Sequence, residues 1–138
     1  YPSEAIVEFT RQSQIIFCNQ MELEYLCGVL DMPAAGILDA FSVDTIVITR
    51  GKHGSRILTV DAQVDIPALP CAVVDTTGAG DAFTAGFLAG YFKGFSMPIC
   101  GRLGAVMAAF CLEGIGCQTH LPDWARLQTR YTEHFGEL

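Results

Sequence analysis

The sequence predicts an α/β fold in which a parallel-rich sheet is flanked by helices. Short apolar runs rich in β-branched residues alternate with segments whose apolar residues recur at helical spacing. The resulting order of strand, helix, helix and strand is typical of a parallel sheet with a right-handed crossover. A length of 138 residues, of which 51% are apolar and 17% charged, gives room for one sizeable core. We therefore expect a single α/β unit.

The first third of the chain supplies that order. In sequence we expect a helix capped by Ser3, a buried strand over 13–19, a helix over 22–27 that Gly28 stops, a helix opened by Met32-Pro33, and the clearest strand over 44–49. The change from helical spacing to continuous apolar runs marks each strand.

Glycine and proline divide the remainder into further elements. We expect a two-glycine turn over 50–55, a strand over 56–60 that forms a hairpin at the sheet edge, an extended piece over 64–66, an apolar segment over 71–74, a helix that ends near Tyr91, a helix capped by Ser96, a glycine loop over 113–117, and an amphipathic helix capped by Asp123.

The most informative stretch is the turn from Asp75 to Asp81, which we call the central turn. It lies where a helix begins, and the first N–H groups of a helix have no internal partner and attract anions. Gly78, Ala79 and Gly80 leave those groups accessible, and Asp81 stands beside them. A phosphate cradle next to a carboxylate suits phosphoryl transfer. The alternative is an ordinary turn before a helix, where glycine binds nothing.

The motif Asp-Thr-Thr-Gly-Ala-Gly-Asp, followed by Ala-Phe, resembles the signature of the ribokinase or phosphofructokinase-B family of sugar and nucleoside kinases. The resemblance implies a ribokinase-like fold and an ATP-dependent phosphotransferase that moves the γ-phosphate to a primary hydroxyl. It implies that Asp81 is the base that deprotonates this hydroxyl. The backbone N–H groups of Gly78, Ala79 and Gly80 would stabilise the transferred phosphoryl group.

Two further segments resemble family motifs at strand ends. Asn19 and Glu22 look like the Asn-x-x-Glu signature, which implies that Glu22 organises Mg²⁺ through water and that Asn19 faces the nucleotide phosphates. The alternative is a helix capping box. Thr49, Gly51 and Gly54 are similar to the family's nucleotide loop, which runs along the triphosphate and ribose of ATP. The alternative there is a plain hairpin turn.

A monovalent cation such as K⁺ is the third implication of the resemblance. The matching loop of the family, together with the segment around the central turn, holds such an ion through carbonyl oxygens. The residues of this chain that would surround it are Asp75, Thr77, Cys111, Gly114, Gly116 and His120. The alternative is an ordinary glycine-containing end of a helix.

The charge and composition of the chain limit the kinds of partner that we expect. A formal charge of −7 with eight scattered Lys and Arg argues against a nucleic-acid partner, and no apolar run approaches the length of a membrane span. The six cysteines never form a Cys-x-x-Cys pair, so we expect free thiols in a cytoplasmic protein.

The resemblance covers only the carboxyl-terminal half of the family, and the half that carries the acceptor-binding Gly-Gly motif is missing from this sequence. We expect residues 1–138 to be the nucleotide-binding part of a kinase domain and to be inactive alone. The segment 107–120 looks most like bacterial adenosine-kinase-type members, which favours the 5′-hydroxyl of adenosine as acceptor. Ribose or fructose phosphate kinases, a non-catalytic nucleotide-binding module, and a homodimer of the full-length protein remain open.

Overall fold

The computed structural model describes residues 2–138. The chain divides into two compact units, one formed by the residues up to Arg50 together with Arg56–Asp65, the other by Gly51–Ser55 and Ile66–Leu138. The expectation of a single unit over 1–138 stays a prediction.

The first unit carries the sheet. Its elements are α1 (Ser3–Gln12), β1 (Ile15–Asn19), α2 (Gln20–Leu30), α3 (Ala34–Ala40), β2 (Thr45–Thr49), β3 (Ser55–Leu58) and β4 (Gln63–Ile66), the last two each sharing one end residue with the second unit. The strand order is β1-β2-β3-β4, and β1 runs parallel to β2 with Asn19 opposite Thr49. Every residue of β2 before Thr49 is buried, as expected for a parallel strand covered on both faces.

Two predicted helix boundaries in this unit are wrong. Gly28 does not end α2, because the helix continues to Leu30 and ends at Asp31 in the left-handed conformation. A glycine inside a helix costs about 1 kcal/mol, and burial of Leu23 and Leu30 outweighs that cost. Ser3 is the first residue of α1 rather than its cap. Pro2 occupies the cap position, and its carbonyl accepts from the N–H groups of Ala5 and Ile6, about one helical turn ahead.

The second unit is helical and contains α4 (Ala79–Phe92), α5 (Met97–Leu112) and α6 (Trp124–Phe135). A Cβ placed on Gly86 of α4 would lie 2.6 Å from the Leu103 carbonyl oxygen of α5. The two helix backbones therefore touch through small residues. Both helices are apolar on most sides, which is typical of helices that are buried in a core.

The ends of these helices mostly follow the prediction. Asp123 caps α6 by accepting from the Arg126 N–H group at 2.9 Å. Ser96 occupies the cap position of α5, but its hydroxyl makes no capping hydrogen bond with any described residue. Over residues 2–138, none of the helices combines the length and the apolar character needed to cross a membrane.

Candidate active site

The central turn forms the start of α4, as the sequence predicts. Gly78 is the cap, with φ of 76°, and the first helical hydrogen bond runs from the Ala82 N–H group to the Gly78 carbonyl at 2.9 Å. The Ala79 N–H group donates to the Thr76 carbonyl at 3.3 Å. The N–H groups of Gly80 and Asp81 lie ahead of the first helical bond, where a helix attracts anions.

The two glycines of the turn have different surroundings. A Cβ on Gly78 would lie 2.2 Å from Cys117 Cβ, and the positive φ independently favours glycine. Apart from its chain neighbours and the backbone of its own helix, a Cβ on Gly80 would meet no heavy atom of residues 2–138 within 4 Å. The turn is thus packed on one side and open at Gly80, so its donor set fits an incoming phosphate. Asp81, in the first turn of α4, is exposed at the same place.

Asp75 holds the central turn against the glycine loop. Its Oδ1 accepts from the Thr77 N–H group at 2.9 Å and from the Thr77 hydroxyl at 2.7 Å, and its Oδ2 accepts from the Gly116 N–H group at 2.9 Å. The Thr77 N–H group, the Gly116 N–H group and the Thr77 hydroxyl, in that order, lower the pKa of Asp75 below its usual value. Both carboxylate oxygens therefore take part in fixing the shape of the turn.

The residues predicted to surround a monovalent cation lie in this loop cluster. Cys111 Sγ donates to the Thr77 carbonyl at 3.4 Å, and a Cβ on Gly114 would lie 2.6 Å from His120 Cβ. Among the described residues no group of three or more His, Cys, Asp or Glu could hold a metal ion, so a cation here would depend on carbonyl oxygens. The Thr77 carbonyl and the Asp75 carboxylate already have protein partners. Cation binding stays a prediction.

Asn19 and Glu22 form the capping box that the sequence left open as an alternative. The Glu22 N–H group donates to Asn19 Oδ1 and the Asn19 N–H group donates to Glu22 Oε2, each at 2.8 Å. Both side chains start α2 at the carboxyl end of β1 and are exposed. The capping role occupies only one carboxylate oxygen, so a role of Glu22 toward a hydrated Mg²⁺ stays compatible with the structure and stays a prediction.

The predicted nucleotide loop begins at the next strand end. Thr49 pairs in register with Asn19, so these two polar residues lie side by side at the carboxyl ends of parallel strands, where α/β folds bind ligands. After Arg50 the chain enters the second unit as a single 3-10 turn, Gly51–His53, which the Gly54 N–H group closes by donating to the Gly51 carbonyl at 3.0 Å.

Asp65 is a structural partner of this region that the sequence did not indicate. It accepts from Arg56 Nε at 2.7 Å and from Arg56 Nη2 at 3.1 Å, and Arg50 Nη2 lies 3.5 Å from it. The hydrogen bonds from Arg56, followed by the charges of Arg56 and Arg50, lower the pKa of Asp65. The Arg56 pair joins β3 to β4, and the Arg50 pair joins the end of β2 to β4. No local sequence pattern predicts either contact.

The second missed partner is Cys117, which packs on Gly78 across 39 positions of sequence. No local pattern predicts such a contact, because it depends on how the loop after α5 folds back on the central turn. The sequence offers only one hint of the contact, which is that Cys117 directly follows the flexible segment Gly114-Ile115-Gly116.

In the first unit, the parallel strands β1 and β2 end in polar residues, and in the second unit a helix that begins at a glycine carries a carboxylate in its first turn. Each feature is typical of α/β proteins that bind anionic ligands at strand or helix ends. A model described as pfkB family carbohydrate kinase matches residues 2–124. The chain belongs to this family, which confirms the resemblance drawn from the central turn.

The relatives agree in sequence and in fold. A nucleoside kinase of Methanocaldococcus jannaschii is 37% identical over 135 residues, which is 97% of this chain and 44% of the relative, and its crystal structure superposes with a TM-score of 0.91. A Burkholderia thailandensis nucleoside kinase in complex with inosine is 32% identical, with a TM-score of 0.92 over 99% of this chain and 45% of that one. A cytidine kinase of Thermococcus kodakarensis is 38% identical over 123 residues, 86% of this chain and 41% of the relative.

These matches confirm the ribokinase-like α/β fold. The chain spans less than half the length of the relatives it matches.

Proposed function

We propose that the full-length protein containing this chain is an ATP-dependent kinase that transfers the γ-phosphate to a primary hydroxyl of a nucleoside or sugar. The observation that carries the proposal is the start of α4, where Asp81 stands beside N–H groups that precede the first helical bond. The family match and the relatives named nucleoside kinase and cytidine kinase support it.

In this proposal Asp81 accepts the proton of the attacking hydroxyl. The N–H groups along Gly78, Ala79 and Gly80 stabilise charge on the transferred phosphoryl, each well-placed donor contributing about 3 kcal/mol. Because Gly80 is open, its amide is the accessible member of the set. A modest base suffices, since a loose phosphoryl transition state demands little of the nucleophile.

ATP and Mg²⁺ are the proposed cofactors. Asn19, Thr49, Gly51 and Gly54 would contact the nucleotide, and Glu22 would hold water molecules of the Mg²⁺ shell through its carboxylate. Mg²⁺ suits this arrangement because it keeps much of its hydration. K⁺ near the glycine loop is an additional part of the proposal, and free cysteines are compatible with a cytoplasmic location.

For the acceptor we propose a nucleoside 5′-hydroxyl, with adenosine as the first candidate. Two relatives bear on this choice: one is named cytidine kinase, and another was crystallised with inosine. The nucleoside class therefore has more support than the particular base.

A coupled ADP-release screen of the full-length protein tests the proposal. The acceptors are adenosine, inosine, cytidine, ribose, fructose and fructose 6-phosphate, each with and without MgCl₂ and KCl. We expect Mg²⁺-dependent ADP release with at least one nucleoside and faster release than with the free sugars. ATP-dependent turnover with none of these acceptors, by a folded protein, would contradict the proposal.

A further inference from the structure

The loop after α5 places two cysteine side chains against neighbouring residues of the central turn. Cys111 Sγ lies 3.4 Å from the Thr77 carbonyl oxygen and 3.8 Å from the Cys117 carbonyl oxygen. Cys117 Sγ lies 3.6 Å from the position that a Cβ on Gly78 would occupy. Thr77 and Gly78 are consecutive, and consecutive Cα atoms are about 3.8 Å apart. Both thiols therefore lie at one place on the turn.

The two thiols differ in access. Cys111 is 1% exposed, whereas Cys117 is exposed at the surface of the glycine loop. A small thiol reagent in solution would therefore meet Cys117 first. Cys111, whose sulfur already contacts the backbone of Cys117, is placed to react in a second step.

We propose that Cys111 and Cys117 form a reversible disulfide that disables the central turn. Disulfide formation moves the Cys117 side chain, which packs on Gly78, as the two sulfurs come to bonding distance. It also removes the S–H group that donates to the Thr77 carbonyl. The packing on Gly78 then changes and the hydrogen bond to Thr77 is lost, so the N–H groups at the start of α4 shift from their positions. The effect on ATP rests on the proposed function, whereas the disulfide itself does not.

The chemistry balances with a small disulfide such as oxidised glutathione. The Cys117 thiolate attacks one glutathione sulfur, forming a mixed disulfide and releasing one glutathione thiolate. The Cys111 sulfur then attacks the Cys117 sulfur and releases the second glutathione thiolate. The two cysteines lose two protons and two electrons, and the reagent takes up both as two thiols.

The test uses the full-length protein treated with oxidised glutathione. Non-reducing peptide mapping by mass spectrometry should find a peptide that links Cys111 to Cys117. Titration with ATP should show at least a tenfold loss of affinity that dithiothreitol restores. Cys117→Ser should give neither the link nor the loss, and Cys71→Ser, which changes a half-buried cysteine of the same unit, should behave like the wild type.

The outcomes separate the two proposals. Glutathione retained on Cys117, or a disulfide between Cys18 and Cys27 in place of the expected one, would overturn the pair. A Cys111–Cys117 disulfide that leaves ATP affinity unchanged would overturn the switch while the kinase proposal stands. If the reduced protein binds no ATP, the kinase proposal fails and peptide mapping alone decides the disulfide. Thermal unfolding of Cys117→Ser and Cys71→Ser checks that both variants fold.

Discussion

The Asp75 carboxylate accepts hydrogen bonds from Thr77 and Gly116, and these bonds favour its charged form in the folded protein. A carboxyl group whose folded pKa is depressed stabilises the fold above its unfolded pKa, and this stabilisation is lost as the pH falls through the folded pKa. The unfolded pKa of Asp is about 3.9. The contribution of Asp75 is thus complete near neutral pH and disappears at acidic pH.

Asp75→Asn should lower the free energy of unfolding near pH 7, because an amide nitrogen facing the Gly116 N–H group cannot accept its hydrogen bond. The gap from the wild type should narrow as the pH falls below about 4, because the unfolded chain then binds a proton at Asp75 before the folded protein, whose Asp75 pKa is lowered, does so. Urea unfolding of both proteins from pH 7 to pH 3 measures the gap. A gap that is independent of pH would show that the charge is not the stabilising element.

Asp81 differs from Asp75 in having an exposed position at the open side of the turn. Asp81→Asn in the full-length protein should reduce kcat by about 10² to 10⁴-fold, the usual contribution of a positioned general base. ATP affinity should survive, since the backbone N–H groups remain. The measurements are ADP release and ATP titration, with Asp39→Asn on the exposed side of α3 as the charge control. Near-normal turnover of Asp81→Asn would refute the assignment of Asp81 as the base.

At the scale of elements, the sequence predicted most helices and strands because the spacing of their apolar residues is regular. The apolar run 44–49 becomes β2, and the amphipathic spacing after Asp123 becomes α6. The errors lie at helix ends. Gly28 looked like a stop, yet the packing of α2 carries the helix two residues further, and tertiary burial is invisible in a local pattern.

In the candidate site, too, local features could be predicted and contacts between distant positions could not. The helix start at Gly78 could be predicted because glycine and the following small residues act locally. The bonds of Asp75 to Gly116 and the packing of Cys117 on Gly78 join positions far apart in sequence, so only the fold discloses them. For Asn19 and Glu22, the local capping box formed as one of the two alternatives, and their role toward Mg²⁺ depends on a bound ligand.

Two glycines in helices provide a matched test of packing. Gly86→Ala should destabilise the protein by about 1 to 3 kcal/mol, because its methyl group would lie 2.6 Å from the Leu103 carbonyl oxygen and the backbone cannot move aside easily. Gly28→Ala should stabilise it by up to about 1 kcal/mol, since outside the adjacent residues and backbone of α2 no described heavy atom lies within 4 Å of the new methyl group, and alanine favours the helix. Chemical denaturation of both variants measures the sign of each change in the free energy of unfolding. Equal effects would mean that α4 and α5 do not touch as described.

At the scale of the whole molecule, this chain matches less than half the length of its nucleoside kinase relatives. Phe9, Met21 and Tyr25 are large apolar side chains that α1 and α2 leave exposed, as expected where another part of a protein covers a surface. The proposed catalytic activity therefore belongs to the full-length protein.

The isolated chain of 138 residues should bind ATP weakly and should phosphorylate no acceptor at a measurable rate, because the acceptor-binding motif of the family is not among its residues. The full-length protein in the same ADP-release assay is the positive control. ATP-dependent phosphorylation of any nucleoside or sugar by the purified chain would contradict this expectation.

The close contact between α4 and α5 has a consequence for how tightly an anion could be bound. Since Gly86 lets the helix backbones touch, and the Val74 and Asp75 N–H groups both donate to the Leu112 carbonyl at the end of α5, the start of α4 cannot shift without breaking several contacts. Ordering a backbone residue costs about 1 to 2 kcal/mol of conformational entropy. Here the backbone is ordered when the chain folds and not when a ligand binds. A phosphate that reaches Gly80 would therefore meet N–H groups already in place, and little of its binding free energy would be lost in ordering them.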